Sequence, residues 1–177
     1  MKTVFNIIET ERLILREILT SDADAMFELD SDPEVHRYLG NVPVKSREKI
    51  LEIIDFIRRQ YDTFGIGRWA VVLKDNKKFI GWAGLKYVDE PMDNFPYYYD
   101  LGYRLTRKYW GKGYATEASI ALIDYAFHKL KIPCVYALIE TDNLRSRRVL
   151  EKVGFLKDKP MTIDGILHIQ FKAINPL

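Results

Sequence analysis

RKYWGKGYATEA, residues Arg107 to Ala118, sits between a stretch of strand-like alternation and a stretch of helical spacing. Two glycines, Gly111 and Gly113, stand one residue apart among Arg107, Lys108 and Lys112. Glycine reaches backbone conformations closed to other residues, so one glycine would satisfy a plain turn. Two glycines, three cations and a following helix favour an anion site. The helix start offers unpaired amides and the positive end of its dipole at the same place. Spacing excludes the two commonest phosphate loops. No Lys-Ser/Thr follows a G-x-x-x-x-G, and Gly111-x-Gly113-x-Ala115 lacks the third small residue at the dinucleotide offset.

Working outward, RWAVVLK (68–74), KFIGWAGLKYV (78–88) and YYYDLGYRL (97–105) alternate with a period of two and read as strands, the first pair joined by a DNK turn. Upstream, Leu13 and Leu15 with Ile7 and Ile8 read as an opening strand. SDADAMFELD reads as a helix capped by Ser21 or Asp22, and PEVHRYLG as a short helical turn ending at Gly40. SREKILEIIDFIRRQYDTF is an amphipathic helix between Ser46 and Gly65. Downstream, the helix after Gly113 runs to Pro133, IPCVYALIE is an apolar strand, DNLRSRRVLEKVGF is a helix ended by Gly154, and His168 to Ala173 form a last strand. The pattern predicts one α/β domain over residues 1–177 with a mixed sheet.

Composition narrows the function. Net charge is +2, from 27 cations against 25 anions, which argues against bulk nucleic-acid binding. No apolar run reaches the length of a membrane span. The start of the chain lacks the pattern of a secretion signal, and the single Cys134 reads as a buried small hydrophobe, so a reducing cytoplasm is the expected compartment. The three histidines show no ligand spacing, so no metal is expected. Charge is unevenly spread. Residues 87–100 hold Asp89, Glu90, Asp93 and Asp100 with no Lys or Arg, whereas residues 104–152 hold ten Lys/Arg and five Asp/Glu. Either local solubility patterning or neighbouring sites for a cation and an anion would produce this.

RKYWGKGYATEA after one strand and TDNLRSRRVLEKVGF after another resemble the GNAT superfamily of acetyl-CoA-dependent N-acetyltransferases. The opening ETERLILR and the DPEVHRYLG segment are similar to its RimJ/RimL branch. The resemblance implies a GNAT fold: a twisted mixed sheet of about six to seven strands, flanked by about four helices, with splayed central strands holding acetyl-CoA. It implies that the family's Q/R-x-x-G-x-G/A signature falls on Lys108, Gly111 and Gly113. Amides from Lys108 through Thr116, including those of Lys112, Tyr114 and Ala115, would wrap the pyrophosphate. The strand end from Tyr103 to Leu105 would pair with the pantetheine arm, which Asn143 would also contact.

Amide formation from a thioester needs a neutral amine, a place for the oxyanion and a proton for the departing thiolate. In YYYDLGYRL, alternation puts Tyr98, Asp100, Gly102 and Arg104 on one face. Asp100 and Arg104 are then about 13 Å apart at about 3.3 Å per residue, too far for a direct pair. Asp100 is therefore a candidate base or water anchor, with a structural carboxylate as the other reading, and Gly102 beside it leaves room for a ligand or another backbone. Glu90 and Asp93 are alternatives for a cationic acceptor. Asn143 also suits a helix N-cap. Family members often carry a tyrosine seven residues after this Asn, where this chain has Leu150. The RimL-like branch uses a serine three residues after it, which is Ser146 here. The resemblance thus implies acetyl transfer to a primary amine, either a protein N-terminal α-amine or a small amine such as a polyamine, amino acid or drug. A non-catalytic acyl-CoA sensor is the third reading. The oxyanion would meet a strand amide near Tyr103, and the protein would act as a monomer or homodimer.

Overall fold

A computed structural model describes residues 7–176. Residues 1–6, part of the stretch read as lacking a secretion signal, lie outside the described residues together with residue 177. The strands are β1 (Ile8–Glu9), β2 (Leu13–Glu17), β3 (Arg68–Leu73), β4 (Phe79–Val88), β5 (Tyr98–Leu105), β6 (Cys134–Glu140), β7 (Leu156–Ile163) and β8 (Ile166–Ile174). They form one sheet in the order β1-β2-β3-β4-β5-β6-β8-β7. The helices are α1 (Ala23–Asp30), α2 (Pro33–His36), α3 (Arg47–Phe64), α4 (Tyr114–Asp124) and α5 (Leu144–Val153).

Helix ends follow the local chemistry of the chain. The Ser46 hydroxyl accepts the Lys49 amide at 3.2 Å, satisfying a donor that the first turn of α3 would leave unpaired. Gly65 then closes α3 in the left-handed region at φ 68°. Between them Ile50, Ile54, Ile57 and Tyr61 are buried, as helical spacing requires of one face. α4 stops at Asp124 rather than continuing to Pro133. A wider turn over Tyr125–Lys129 follows, where the Leu130 amide reaches the Tyr125 carbonyl at 3.1 Å.

The described residues hold eight strands and five helices, more than the six to seven strands and four helices expected. The stretch read as one opening strand is two, β1 and β2, paired antiparallel, and β7 is absent from the sequence reading. Its residues are mostly exposed and include Pro160, so neither alternation nor burial marks it. It exists because β8 offers an edge, pairing with it from Leu156↔Lys172 to Ile163↔Ile166.

The pairing that positions the site lies in the middle of the sheet. β4 and β5 pair over eight positions, from Gly81↔Leu105 to Val88↔Tyr98. β5 and β6 run parallel and pair at only two, Tyr99↔Val135 and Asp100↔Tyr136. Beyond Asp100 the two strands part, so residues 101–105 turn one row of backbone groups toward a gap. Such groups need a partner. One face of the sheet packs on α4, which lies against β2, β4 and β5. The other packs on α1, which lies against β4.

Candidate active site

At the far end of β5 the chain makes a tight turn over Arg107–Tyr109 and enters the glycine loop. Gly111 and Gly113 adopt φ 75° and 82°, conformations that explain both glycines. The space a side chain at Gly111 would occupy is open. The first intrahelical bond of α4 is Glu117 amide to Gly113 carbonyl at 3.0 Å, so the amides of Tyr114, Ala115 and Thr116 precede it at the positive helix end. Two of the three cations are engaged: Arg107 with Asp32 at 3.1 Å and Lys108 with Glu28 at 2.8 Å. Lys112 instead lies over the Tyr109 ring, its Nζ 5.6 Å from the centroid. Among the described residues, Lys112 is thus the one cation of this loop without an ion pair, beside the amides at the start of α4.

Arg12 holds this loop in place, a role the sequence did not reveal. Its Nη1 donates to the Lys112 carbonyl at 3.0 Å and its Nε to Glu117 at 2.7 Å, while its guanidinium carbon lies 4.5 Å from the Tyr114 ring centroid. Glu117 also accepts the Arg12 amide at 2.8 Å and the Thr10 hydroxyl at 2.6 Å. Burial would push its carboxyl up, yet these donors together hold it below the ordinary glutamate value.

Asp100 lies where β5 and β6 separate, opposite Lys86 on β4 and Tyr136 on β6. Its Oδ1 is sealed from solvent with no hydrogen-bond partner. Burial raises its pKa to about 7, against the opposing influence of Lys86, Arg68 and a hydrogen bond with the Leu138 backbone. A carboxylate poised near neutrality at the mouth of a gap can take a proton from an ammonium. As alternation required, Arg104 pairs elsewhere, with Asp30 of α1. A Cβ at Gly102 would lie 3.4 Å from the Trp82 ring, an ordinary contact, so the indole borders this part of the strand.

The second predicted motif comes together at the start of α5. Asn143 caps the helix, its Oδ1 accepting the Ser146 amide at 3.1 Å. Tyr103, on the β5 face opposite Asp100, donates its hydroxyl to the Ser146 carbonyl at 3.1 Å. Burial pushes the Tyr103 phenol up to about 12, with the Ser146 side chain acting in the opposite direction. The phenol therefore stays protonated beside Ser146, where the chain has Leu150 instead of a helix tyrosine. Leu105 is buried and its carbonyl accepts the Trp110 indole N–H at 2.7 Å, which ties the strand end to the loop.

Asp93 is not free for a cationic acceptor. It accepts from Lys159 at 2.7 Å and from the Tyr136 hydroxyl at 2.9 Å, with Lys172 at 3.8 Å, and these hold its carboxyl below the ordinary range. Glu90 is exposed. Among the described residues, no group of three His, Cys, Asp or Glu side chains is placed to hold a metal ion.

Comparison with known proteins gives the family. Residues 12–156 match the acetyltransferase (GNAT) domain. The N-acetyltransferase YoaA of Bacillus subtilis, itself uncharacterized, is 33% identical over 155 residues, covering 88% of this chain and 85% of that protein. A GNAT-family acetyltransferase from Bacillus anthracis superposes with a TM-score of 0.81 at 23% identity, covering 97% of this chain and 100% of that one. The ribosomal-protein-S5-alanine acetyltransferase of Vibrio fischeri superposes with a TM-score of 0.78 at 23% identity, covering 97% of each. The chain belongs to the GNAT family and is an acetyl-CoA-dependent N-acetyltransferase.

Proposed function

We infer that the chain transfers acetyl from acetyl-CoA directly to the α-amine of a protein N-terminus, with Asp100 as the base. The parting of β5 and β6 immediately after Asp100 carries this reading. The gap offers the backbone groups of Tyr103 and the Leu105 amide, the alternate positions that do not face β4, to a pantetheine arm, which would pair with them as an extra strand. The pyrophosphate would lie on the amides of Gly113, Tyr114, Ala115 and Thr116, with Gly111 supplying the turn and Lys112 the nearest free charge. Lys108 would contribute its backbone, since Glu28 occupies its side chain. Asn143, whose Oδ1 caps α5, would turn its amide nitrogen toward the arm.

Asp100 would take a proton from the ammonium, directly or through water, and the amine would attack the thioester carbonyl. The oxyanion would meet a β5 amide near Tyr103. As the C–S bond breaks, the thiolate would take its proton from Ser146, on the side where the Tyr103 hydroxyl also lies, and the proton shed by the acylated nitrogen would return through water to the serine. A thiolate is a good leaving group, so this last transfer contributes modestly.

The protein N-terminus is favoured over a polyamine by the charge around Asp100. Arg68, Arg104 and Lys86 share its face, an environment that repels a polycation. Mass spectrometry of products from short peptides and from spermidine tests the reading. Peptide α-amines should be acetylated with kcat/KM at least tenfold above spermidine, and faster turnover of spermidine would overturn it. Ser146→Ala should lower kcat while leaving the acetyl-CoA dissociation constant in place; unchanged turnover removes Ser146 from the mechanism.

A further inference from the structure

The face of the sheet that carries Asp100 holds a second guanidinium with no carboxylate of its own. Arg68 opens β3 and pairs across the sheet with Gly84. A side chain at Gly84 would strike the Gly67 carbonyl at 2.3 Å and the Arg68 Cα at 2.5 Å, so the start of β3 is pressed down onto β4. That brings the Arg68 guanidinium onto Trp82, its carbon 4.9 Å from the ring centroid. Arg104 lies against the same indole at 5.2 Å. Stacking fixes the plane of a guanidinium and leaves its edge donors to recognise something else.

The two arginines differ in what satisfies them. Arg104 pairs with Asp30, which is 2% exposed, and lies 3.4 Å from the buried His36 ring. Burial and Arg104 keep the imidazole below its ordinary pKa, so His36 adds no charge near neutrality. Among the described residues, no carboxylate is within ion-pair distance of Arg68, although Asp100 and Asp30 act on it from further away. Three cations, Arg68, Arg104 and Lys86, therefore share this face with two carboxylates, Asp30 and Asp100. Buried charge without a partner is costly, and functional sites are where it persists. Three buried polar atoms without partners also gather here: Asp100 Oδ1, Arg104 Nε and His36 Nδ1.

We propose that Arg68, stacked on Trp82, binds a carboxylate carried by the acceptor close to its amine, while Asp100 receives the amine. The inference rests on the proposed acetyl transfer at Asp100 and specifies its substrate class: an amine with a carboxylate a few bonds away. The carboxylate belongs either to an acidic side chain near a peptide N-terminus or to a free amino acid, and both present the same chemistry to a planar guanidinium. An amide of the same shape would leave Arg68 unpaired.

The test compares two acid/amide pairs with the wild-type enzyme. Peptides beginning Ala-Glu or Ala-Gln report on a side-chain carboxylate, and alanine against alaninamide reports on a free amino acid. In at least one pair, kcat/KM for the acid should exceed that for the amide by about tenfold or more, the scale at which a charged group left unpaired is rejected. Arg68→Gln should bring that ratio close to one while still binding acetyl-CoA, which shows that the variant is folded. Arg68→Lys keeps the charge without the planar fork and should give an intermediate ratio. Ratios at or below one in both pairs overturn the proposal. So does an Arg68→Gln variant that slows acid and amide equally, since Arg68 would then serve only Asp100. If wild type turns over no amine, the transfer reading fails by itself. The acid/amide ratio of dissociation constants, measured by calorimetry with CoA present, then decides the Arg68 site, with the same expected and contrary results.

Discussion

Replacing Asp100 by Asn should move activity and stability in opposite directions, because one buried carboxyl serves both. Its pKa rises from the ordinary 3.8 to about 7, chiefly through burial. At about 1.4 kcal/mol per unit, holding the ionised form in the native site costs about 4 kcal/mol. The residue keeps some exposure, but Oδ1 is sealed, and the sealed oxygen sets the cost. Between pH about 4 and 7, the native chain retains a proton that the unfolded chain has lost. Stability therefore falls as pH rises across that window and is level above it. Asn removes the slope. Asp100→Asn should unfold at higher temperature than wild type at pH 8, and the difference should shrink toward pH 4. In the same variant, kcat/KM at pH 8 should fall by about 10²- to 10⁴-fold, the usual worth of a general base. The wild-type acidic limb near pH 7 should disappear. Thermal unfolding scans across pH and a pH–rate profile supply both readouts. An acidic limb that persists in Asp100→Asn would refute the assignment of the base, and an unchanged stability slope would refute the burial argument.

The loop and the buried charge pair give three further tests. Arg12→Gln breaks contacts to Glu117, the Lys112 carbonyl and the Tyr114 ring; its stability loss should stay within about 1 kcal/mol, as for an exposed ion pair, while KM for acetyl-CoA rises several-fold in steady-state assays. Gly113→Ala forces a side chain to φ 82°, 3.3 Å from Arg12 Nη2. It should lose about 1–2 kcal/mol in denaturant unfolding and weaken acetyl-CoA binding by calorimetry. Asp30→Asn leaves Arg104 buried without its anion, which should cost about 3–5 kcal/mol in denaturant unfolding, far more than any exposed pair on the same helix.

What was legible in the sequence was whatever has a local cause. The two glycines, the Ser46 and Asn143 caps and the switch from helical to alternating periodicity each act within a few residues of themselves. The elements they mark appear where expected. Asp100 could be separated from Arg104 because strand geometry alone fixes that distance. Partners far along the chain left no trace. Nothing in ETERLILR shows that Arg12 reaches a carbonyl 100 residues away, nor does DEPMDNFP show that Lys159 neutralises Asp93. Nor does alternation alone show that the Trp82 ring from the neighbouring strand borders Gly102. β7 escaped for a related reason, since it is held by edge pairing with β8 and carries no burial pattern of its own.

RKYWGKGYATEA and the gap-facing end of β5 together form the proposed acetyl-CoA site. Hydrogen–deuterium exchange with and without acetyl-CoA tests it most directly. Amides of Tyr103 and Leu105 and of Gly111 to Thr116 should slow together on binding, because the arm would pair with the first set and the pyrophosphate with the second. Binding that leaves both segments exchanging as in the free protein would contradict the account.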